Sequence, residues 1–418
     1  MEERKTLIPA FGPLQGIRIL GLGSLIAMPF ASTLMADFGA EFIEIERPGV
    51  GDVYRVYPPF LEKDGKPLIG SSWIQEGRNR LSFTLELKKS EPDSIRVFHD
   101  LIRECDFFIE NVVWLEKFGV SDDELMAINP RLNIIHISGY GHSEFGGDPE
   151  VCGRASYDVI GQAFSGYISC NGTPDSPLPA KPALNDYVTA MFAVFGMLSA
   201  YVETQRSGRG QVIDVAQFEA QSKIMRGKYV SPTLGLREPF RTGAKSSSFQ
   251  PWNIFTCADG KEVYFGAVGK PVFSRFMQAA GFSEEEYPYD EVSGRRTHVN
   301  SELGQRFGAA VTDWCLHHTS DEIVEILGKA RVPCSRLNTP ADCLEEPQYR
   351  LRDDFITYED QTLGKEAQAL GIVPKMSRTP GKVWRGAPRL GQDTEWILKD
   401  LLGYDDDEIA RLKEKKLI

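Results

Sequence analysis

IRILGLGSLIAMPFASTLMADFGAEFIEIERPG (residues 17–49) decides the fold. An apolar run, a glycine turn, a helical pattern and a second apolar run follow one another in it. That is the order of a βαβ unit with two parallel strands. The turn raises the question of a dinucleotide. A nicotinamide fingerprint needs a third glycine for close helix–strand packing and an acidic residue closing the second strand. Gly21 and Gly23 are in place, but Ile26 stands where the third glycine belongs, and Arg47 follows Glu46 at once. The stretch predicts the fold and speaks against that cofactor.

Reading outward, the alternation continues. LSFTLEL (81–87), DFFIEN (106–111) and LNIIHISGYG (132–141) read as strands, separated by the helical SIRVFHDLIREC (94–105) and DDELMAINP. This spacing predicts an α/β fold with a parallel, doubly wound sheet. Residues 186–204 (DYVTAMFAVFGMLSAYVET) are apolar nearly all round, as in a helix buried in a large core or interface. From about 228 the texture turns loop-like, and WNIFTCADGKEVYFGAV then predicts a hairpin turning at Asp259-Gly260. A smaller α+β domain is expected at 228–330, between a large domain (1–227) and a returning segment (331–418). Asp393 and Asp405 suit helix N-caps.

At 418 residues the chain is long for one core. Its net charge of −12, with Lys and Arg scattered, argues against a nucleic-acid surface. No apolar run approaches the roughly 18 residues of a membrane span, and MEERKTLIPAFGPLQ lacks a signal peptide's apolar core. Seven cysteines without a C-x-x-C predict reduced thiols and a cytoplasmic setting. The six histidines form no H-x-x-x-H, so no metal site is expected.

The chemistry narrows to carboxylates. The G-x-S-x-G elbow is absent, GYGHSEFGG (139–147) lacks the P-loop ending, and Cys170 is a lone loop thiol. Asp186 opens the apolar helix. Two readings stay open. It caps the helix, or it is a desolvated carboxylate, kept charged by the helix dipole, that attacks an activated acyl group.

Blocks along nearly the whole chain carry a resemblance. They include PFASTLMADFGAEFIEIERPG, NRLSFTLELK, INPRLNIIHISGYG, RASYDVIGQAFSGY, NDYVTAMFAVFGMLSAY, GRGQVIDVAQFE, RVPCSRLNTPADCLEEPQYRLRD and PGKVWRGAPRLGQDT. The sequence resembles the family III CoA-transferases, the group holding the formyl-CoA:oxalate, carnitine and bile-acid enzymes, with RASYDVIGQAFSGYISCNG and VWRGAPRLGQDT nearest the last two. The resemblance implies Asp186 as nucleophile, an aspartyl–acyl anhydride and then an aspartyl-CoA thioester. It implies CoA as substrate, with no permanently bound cofactor, and CoA contacts at Arg47, Leu85, Lys88, Asn111 and Lys117. It also implies a ring-like homodimer of interlocked chains, whose N- and C-terminal segments together build the large, Rossmann-like domain.

Three departures stand out. NVVWLEK (111–117) shortens the family's usual segment, RTGAKSSSFQP stands where one branch has a glycine-rich lid, and Tyr157 stands where the related racemases carry a catalytic His. The phenol disfavours racemisation. A hydrolase and a non-catalytic CoA-binding protein stay open as rivals to a transferase. For the acceptor, Tyr54, Tyr57, Phe60 and Trp73 offer aromatic faces to a quaternary ammonium such as carnitine's, whereas a bile acid wants a wide apolar cleft. The expected pocket residues are Tyr157, Tyr54 and Trp73.

Overall fold

Six strands, β1 (Arg18–Leu22), β2 (Glu41–Glu46), β3 (Arg80–Thr84), β4 (Phe107–Glu110), β5 (Asn133–Ser138) and β6 (Val212–Ala216), form one all-parallel sheet. Their order is β3-β2-β1-β4-β5-β6. The order reverses between β1 and β4, and such a sheet takes ligands in the crevice beyond the carboxyl ends of its strands. The expected parallel α/β architecture is present. The computed structural model describes residues 5–112, 115–236 and 241–418.

The sheet is buried on both faces, yet β2 reads EFIEIE. Its glutamates are tolerated because each meets a guanidinium, those of Arg18 and Arg80 buried and that of Arg55 partly so. Arg18 bonds Glu41 at 2.7 Å, Arg80 bonds Glu44 at 3.0 Å and Arg55 bonds Glu46 at 2.6 Å. Removing one partner of such a pair leaves an uncompensated buried charge.

Helices α1 (Ala27–Ala36), α2 (Pro92–Arg103), α3 (Asp122–Ile128), α4 (Asp158–Phe164), α5 (Leu184–Ser207) and α6 (Gln217–Lys223) accompany the strands. In α5, Ala190, Ala193, Met197 and Ala200 are buried, as are Ala27, Met28, Ala31 and Met35 of α1; the alanines among them let the two helices lie close. Phe30 meets Tyr187 edge-on at 4.8 Å. Against the expectation from apolar run length, α5 is, among the described residues, long and apolar enough to cross a membrane. One side of it packs on α1 and the sheet, as a core helix does. Met191, Phe195, Leu198 and Val202 stand exposed on it.

Two compact units divide the chain: Met1–Gly166 with Lys181–Arg226 and Arg350–Ile418, and Tyr167–Ala180 with Gly227–Tyr349. In the first, the returning segment clasps the edge strand. Asp393 accepts from the Ser82 amide at 2.8 Å and from Arg385 at 2.6 Å, so its carboxylate ties β3 down instead of capping a helix. Asp405 does cap, within a capping box.

The second unit is an antiparallel sheet of β7 (Trp252–Thr256), β8 (Glu262–Gly266) and β9 (Cys334–Arg336) with α7 (Lys270–Ala280), α8 (Glu302–Leu316) and α9 (Ser320–Lys329). Stacked Phe255, Phe265 and Phe276 fill its core. The hairpin turns where Asp259-Gly260 predicts, with Gly260 at φ 74°. The unit's bounds differ from 228–330 because β9, beyond residue 330, pairs with β8.

Candidate active site

The carboxyl edge of the sheet gathers the residues of interest. At the crevice between β1 and β4, Asn111 follows β4 and reaches the loop after β1. Its Oδ1 accepts from the Ser24 amide at 3.0 Å and its Nδ2 donates to the Ser24 carbonyl at 2.9 Å. Gly23 makes that approach possible, since a Cβ there would lie 1.8 Å from Asn111 Oδ1. Gly21 has no room either, because Phe42 and Met28 fill the space. These glycines therefore serve side-chain packing and a side-chain clasp, which is why the turn resembles a dinucleotide motif without completing one. Asn111 is a positioning residue here, with both amide ends bonded to Ser24.

Arg47 follows β2 and is 66% exposed, bonded to Glu86 at 2.9 Å, with Lys88 reaching the same carboxylate at 3.6 Å. Two cations thus flank one anion on an open surface, an arrangement that can receive phosphates. Leu85 is buried in the core, so its side chain lines no groove; its amide bonds the Glu46 carbonyl at 2.9 Å. Lys117 sits in the short helix Leu115–Phe118 with its ammonium 4.9 Å from the Phe118 ring. Residues 113 and 114 of the shortened segment lie outside the described residues.

Asp186 occupies the first turn of α5 but does not cap it. Ala183 holds the N-cap position at φ 36° and offers no side-chain bond. The capping acceptor comes from another helix: Asp158 Oδ1 takes the amides of Asn185 at 2.7 Å and Asp186 at 3.2 Å. Gln162 steadies the other Asp158 oxygen at 2.7 Å. The close approach needs Gly161, where a Cβ would lie 2.1 Å from the Asn185 amide nitrogen. With capping done by Asp158, the Asp186 carboxylate is free of that duty. Gln217, the first residue of α6, donates to Asp186 Oδ1 at 2.5 Å. Tyr187 donates to Glu76 at 2.8 Å, which fixes the helix's rotation.

The electrostatics differ from expectation. Burial, then the Asp158 charge, push Asp186 up to about 7, against the opposing bond from Gln217. The carboxyl is therefore half-protonated near neutrality instead of fully charged. A reaction that needs its carboxylate should rise with pH through about 7. Asp158→Asn, which keeps an acceptor oxygen but removes the charge, should move that acid limb to lower pH in the pH–rate profile. An unmoved limb would show that Asp158 acts through geometry alone.

Of the four aromatic faces expected for an ammonium, Trp73 and Tyr54 are buried, whereas Tyr57 is exposed and Phe60 half-buried. Trp73 is fully buried, with the guanidinium carbons of Arg55 and Arg80 lying 4.3 and 4.9 Å from its ring centroid. Tyr54 is buried and donates to Glu76 at 3.0 Å. Both belong to the ionic core around β2, so neither lines a pocket in this chain. Tyr157, immediately before Asp158, is 69% exposed, and Ile160 and Phe164 stand exposed on α4 after it.

The fold also assembles a cluster that no sequence spacing announces. Glu110, His136 and Asp214 sit side by side across β4, β5 and β6, and ligand atoms of Glu110, His136 and His142 lie within 4.8 Å of one another. His136 bonds Glu110 at 2.6 Å through Nδ1 and Asp122 at 2.9 Å through Nε2. Burial opposes its charge, but these two carboxylates prevail and lift it to about 10. With a carboxylate on each ring nitrogen, His136 is held as an imidazolium, and the cluster reads as a charged clasp. His142 bonds Asp214 at 2.8 Å and ties the glycine-rich loop to β6.

A doubly wound parallel sheet with a carboxyl at the head of a helix and two surface cations beyond its carboxyl edge is the architecture of an α/β enzyme. The profile of CoA-transferase family III matches residues 14–394, and the chain belongs to that family. It is 36% identical over 407 residues to the bile acid CoA-transferase BaiK of Clostridium scindens, covering 96% of this chain and 88% of that one. It is 30% identical over 417 residues to the L-carnitine CoA-transferase of Proteus mirabilis, covering 98% and 97%. A crystal structure of a CAIB/BAIF family protein from Brucella suis superposes with a TM-score of 0.79 at 25% identity, covering 94% of this chain and all of that one. The protein is thus a CoA-transferase, with an acyl-CoA and a carboxylate as substrates.

Proposed function

We propose that the enzyme moves CoA from an acyl-CoA to a free carboxylic acid through covalent intermediates on Asp186. The observation carrying this reading is the uncapping of that side chain: a half-buried carboxylate in a helix's first turn whose capping duty another residue performs. The carboxylate attacks the thioester carbonyl, a C–O bond forms and CoA leaves as the thiolate. Thiolate attack on the anhydride gives aspartyl-CoA and frees the first acid. The acceptor carboxylate then reverses both steps. No proton is transferred, and the intermediates must be kept from water.

Arg47 and Lys88 are the chain's candidate phosphate contacts, and Lys117 a further point charge; CoA enters as substrate and no other cofactor is needed. For the acceptor, the burial of Trp73 and Tyr54 leaves only Tyr57 and Phe60 of the expected aromatic faces for an ammonium. The exposed Tyr157, Ile160 and Phe164 beside Asp158 favour a large apolar acid of bile-acid type. The exposed Met191, Phe195, Leu198 and Val202 of α5 accord with a homodimer of interlocked chains, which sedimentation of the purified protein would contradict by reporting a monomer.

The deciding experiment incubates the protein with one acyl-CoA and a panel holding a bile acid, carnitine and a hydroxydicarboxylate, read by mass spectrometry. Mass gained at Asp186 and CoA transferred to the bile acid are expected. Steady release of CoA without any acceptor would mean a hydrolase, and α-hydrogen exchange in deuterated water a racemase.

A further inference from the structure

We infer that Gln217 decides which carbon of the acyl–Asp186 anhydride the CoA thiolate attacks, an inference that rests on Asp186 being the nucleophile. The two oxygens of Asp186 are not equivalent. Oδ1 takes the amide of Gln217 at 2.5 Å, while Oδ2 accepts no hydrogen bond among the described residues. A carboxylate only accepts, so the nitrogen end of the amide faces it. Oδ2 is therefore the attacking atom. Its bond to the acyl carbon forms as the C–S bond breaks and the thiolate departs. In the anhydride, Oδ2 bridges and Oδ1 is the carbonyl oxygen of the aspartyl half.

Two carbons are then open to the thiolate. Attack on the acyl carbon returns the donor. Attack on Cγ forms the Cγ–S bond, breaks Cγ–Oδ2 and sends the electron pair out on the departing acid, which carries Oδ2 away. In the donor half only the second is productive; in the return half the thiolate must instead attack the acceptor's acyl carbon, a step this donor does not assist. Attack on Cγ places the developing negative charge on Oδ1, where the Gln217 N–H already points. Attack on the acyl carbon places it on the acyl oxygen, away from that donor. A preorganised donor acts where charge develops, so Gln217 lowers the productive barrier selectively. In the return half, the acceptor carboxylate attacks the same Cγ, and Oδ1 again becomes the oxyanion.

The site is built for this. Gln217 begins α6 directly after β6, is 8% exposed, and packs beside Gly161, where a Cβ would lie 3.2 Å from its own. Its Oε1 is buried without a partner. A residue present only to fill space would not carry that penalty.

The test uses Gln217→Leu and Gln217→Met, checked for folding by circular dichroism. Each is mixed with acyl-CoA alone at a pH well above 7, quenched on the millisecond scale and read by intact mass. The acyl adduct should form within about threefold of the wild-type rate, and the CoA adduct about 100-fold more slowly, the usual cost of losing one oxyanion donor. The acyl adduct, transient in the wild type, should then persist. Equal slowing of both adducts, or a CoA adduct at the wild-type rate, overturns the inference. A wild-type protein that gains no mass at Asp186 overturns instead the assignment of the nucleophile.

Discussion

Asp186→Asn should abolish CoA transfer and yet make the protein more stable above neutral pH. The first effect follows from chemistry: an amide is no nucleophile toward a thioester, and loss of a covalent nucleophile costs on the order of 10⁴-fold or more in rate. The second follows from linkage. An unfolded Asp titrates near 3.9, and in the fold burial and Asp158 push this one up to about 7. The native state therefore holds a proton that the unfolded state has lost between those values. Stability falls as pH rises through that window, and the full penalty persists above 7. Asn removes it. The shift caps the gain at about 4 kcal/mol, and solvent screening leaves half or less of that, about 1–2 kcal/mol. Thermal melts at pH 8 and pH 5 check the sign: the variant should melt higher at pH 8, with the difference shrinking at pH 5. A capping role predicts the reverse for Asp186→Ala, a loss of about 0.5–2 kcal/mol. Activity lost together with stability at pH 8 would return Asp186 to the structural reading.

The sheet was legible because its signals are local. Apolar runs separated by helical periods declare parallel strands, and Asp259-Gly260 declares its own hairpin. What could not be read is whatever depends on partners distant in the chain. Asp186 looks like a cap because Asp at a helix start usually is one; that Asp158, 28 residues earlier, performs the task is a fact of packing. Trp73 looks like a surface aromatic in a loop, and only the fold lays Arg55 and Arg80 against its ring. His136 and His142 have no metal spacing, yet strand register sets His136 beside Glu110 and a bond to Asp214 brings His142 to them. Gln217 carried no signal beyond following a strand into a helix, the kind of position where a doubly wound sheet places its functional side chains.

The glycine turn at the start of the chain supplies the second large effect. Gly23→Ala should destabilise the enzyme strongly although Gly23 is not among the glycines that need a positive φ. The obstacle is steric: the new Cβ would lie 1.8 Å from Asn111 Oδ1. Asn111 cannot swing aside freely, because both ends of its amide are bonded to Ser24, at 3.0 and 2.9 Å. Either those two bonds break or the loop after β1 moves out of the crevice. Overpacking of this kind costs about 1–3 kcal/mol, and leaving the amide's partners unpaired adds about 1–3 kcal/mol. Asn111→Ala alone loses the two bonds but creates no clash, so it should cost about 1–2 kcal/mol. The double variant distinguishes this account from a general intolerance of the loop. With Asn111 already truncated, the two closest obstacles to the Gly23 methyl are gone, and the next is the flexible end of Met28, at 3.1 Å. The pair should then fall short of the sum of the singles by about 1 kcal/mol or more, within the usual range for residues in contact, about 0.5–3 kcal/mol. Denaturant midpoints of the four proteins give the cycle directly. Strict additivity would mean that the glycine is needed for something other than the side chain facing it, and the dinucleotide reading of the turn would be open again.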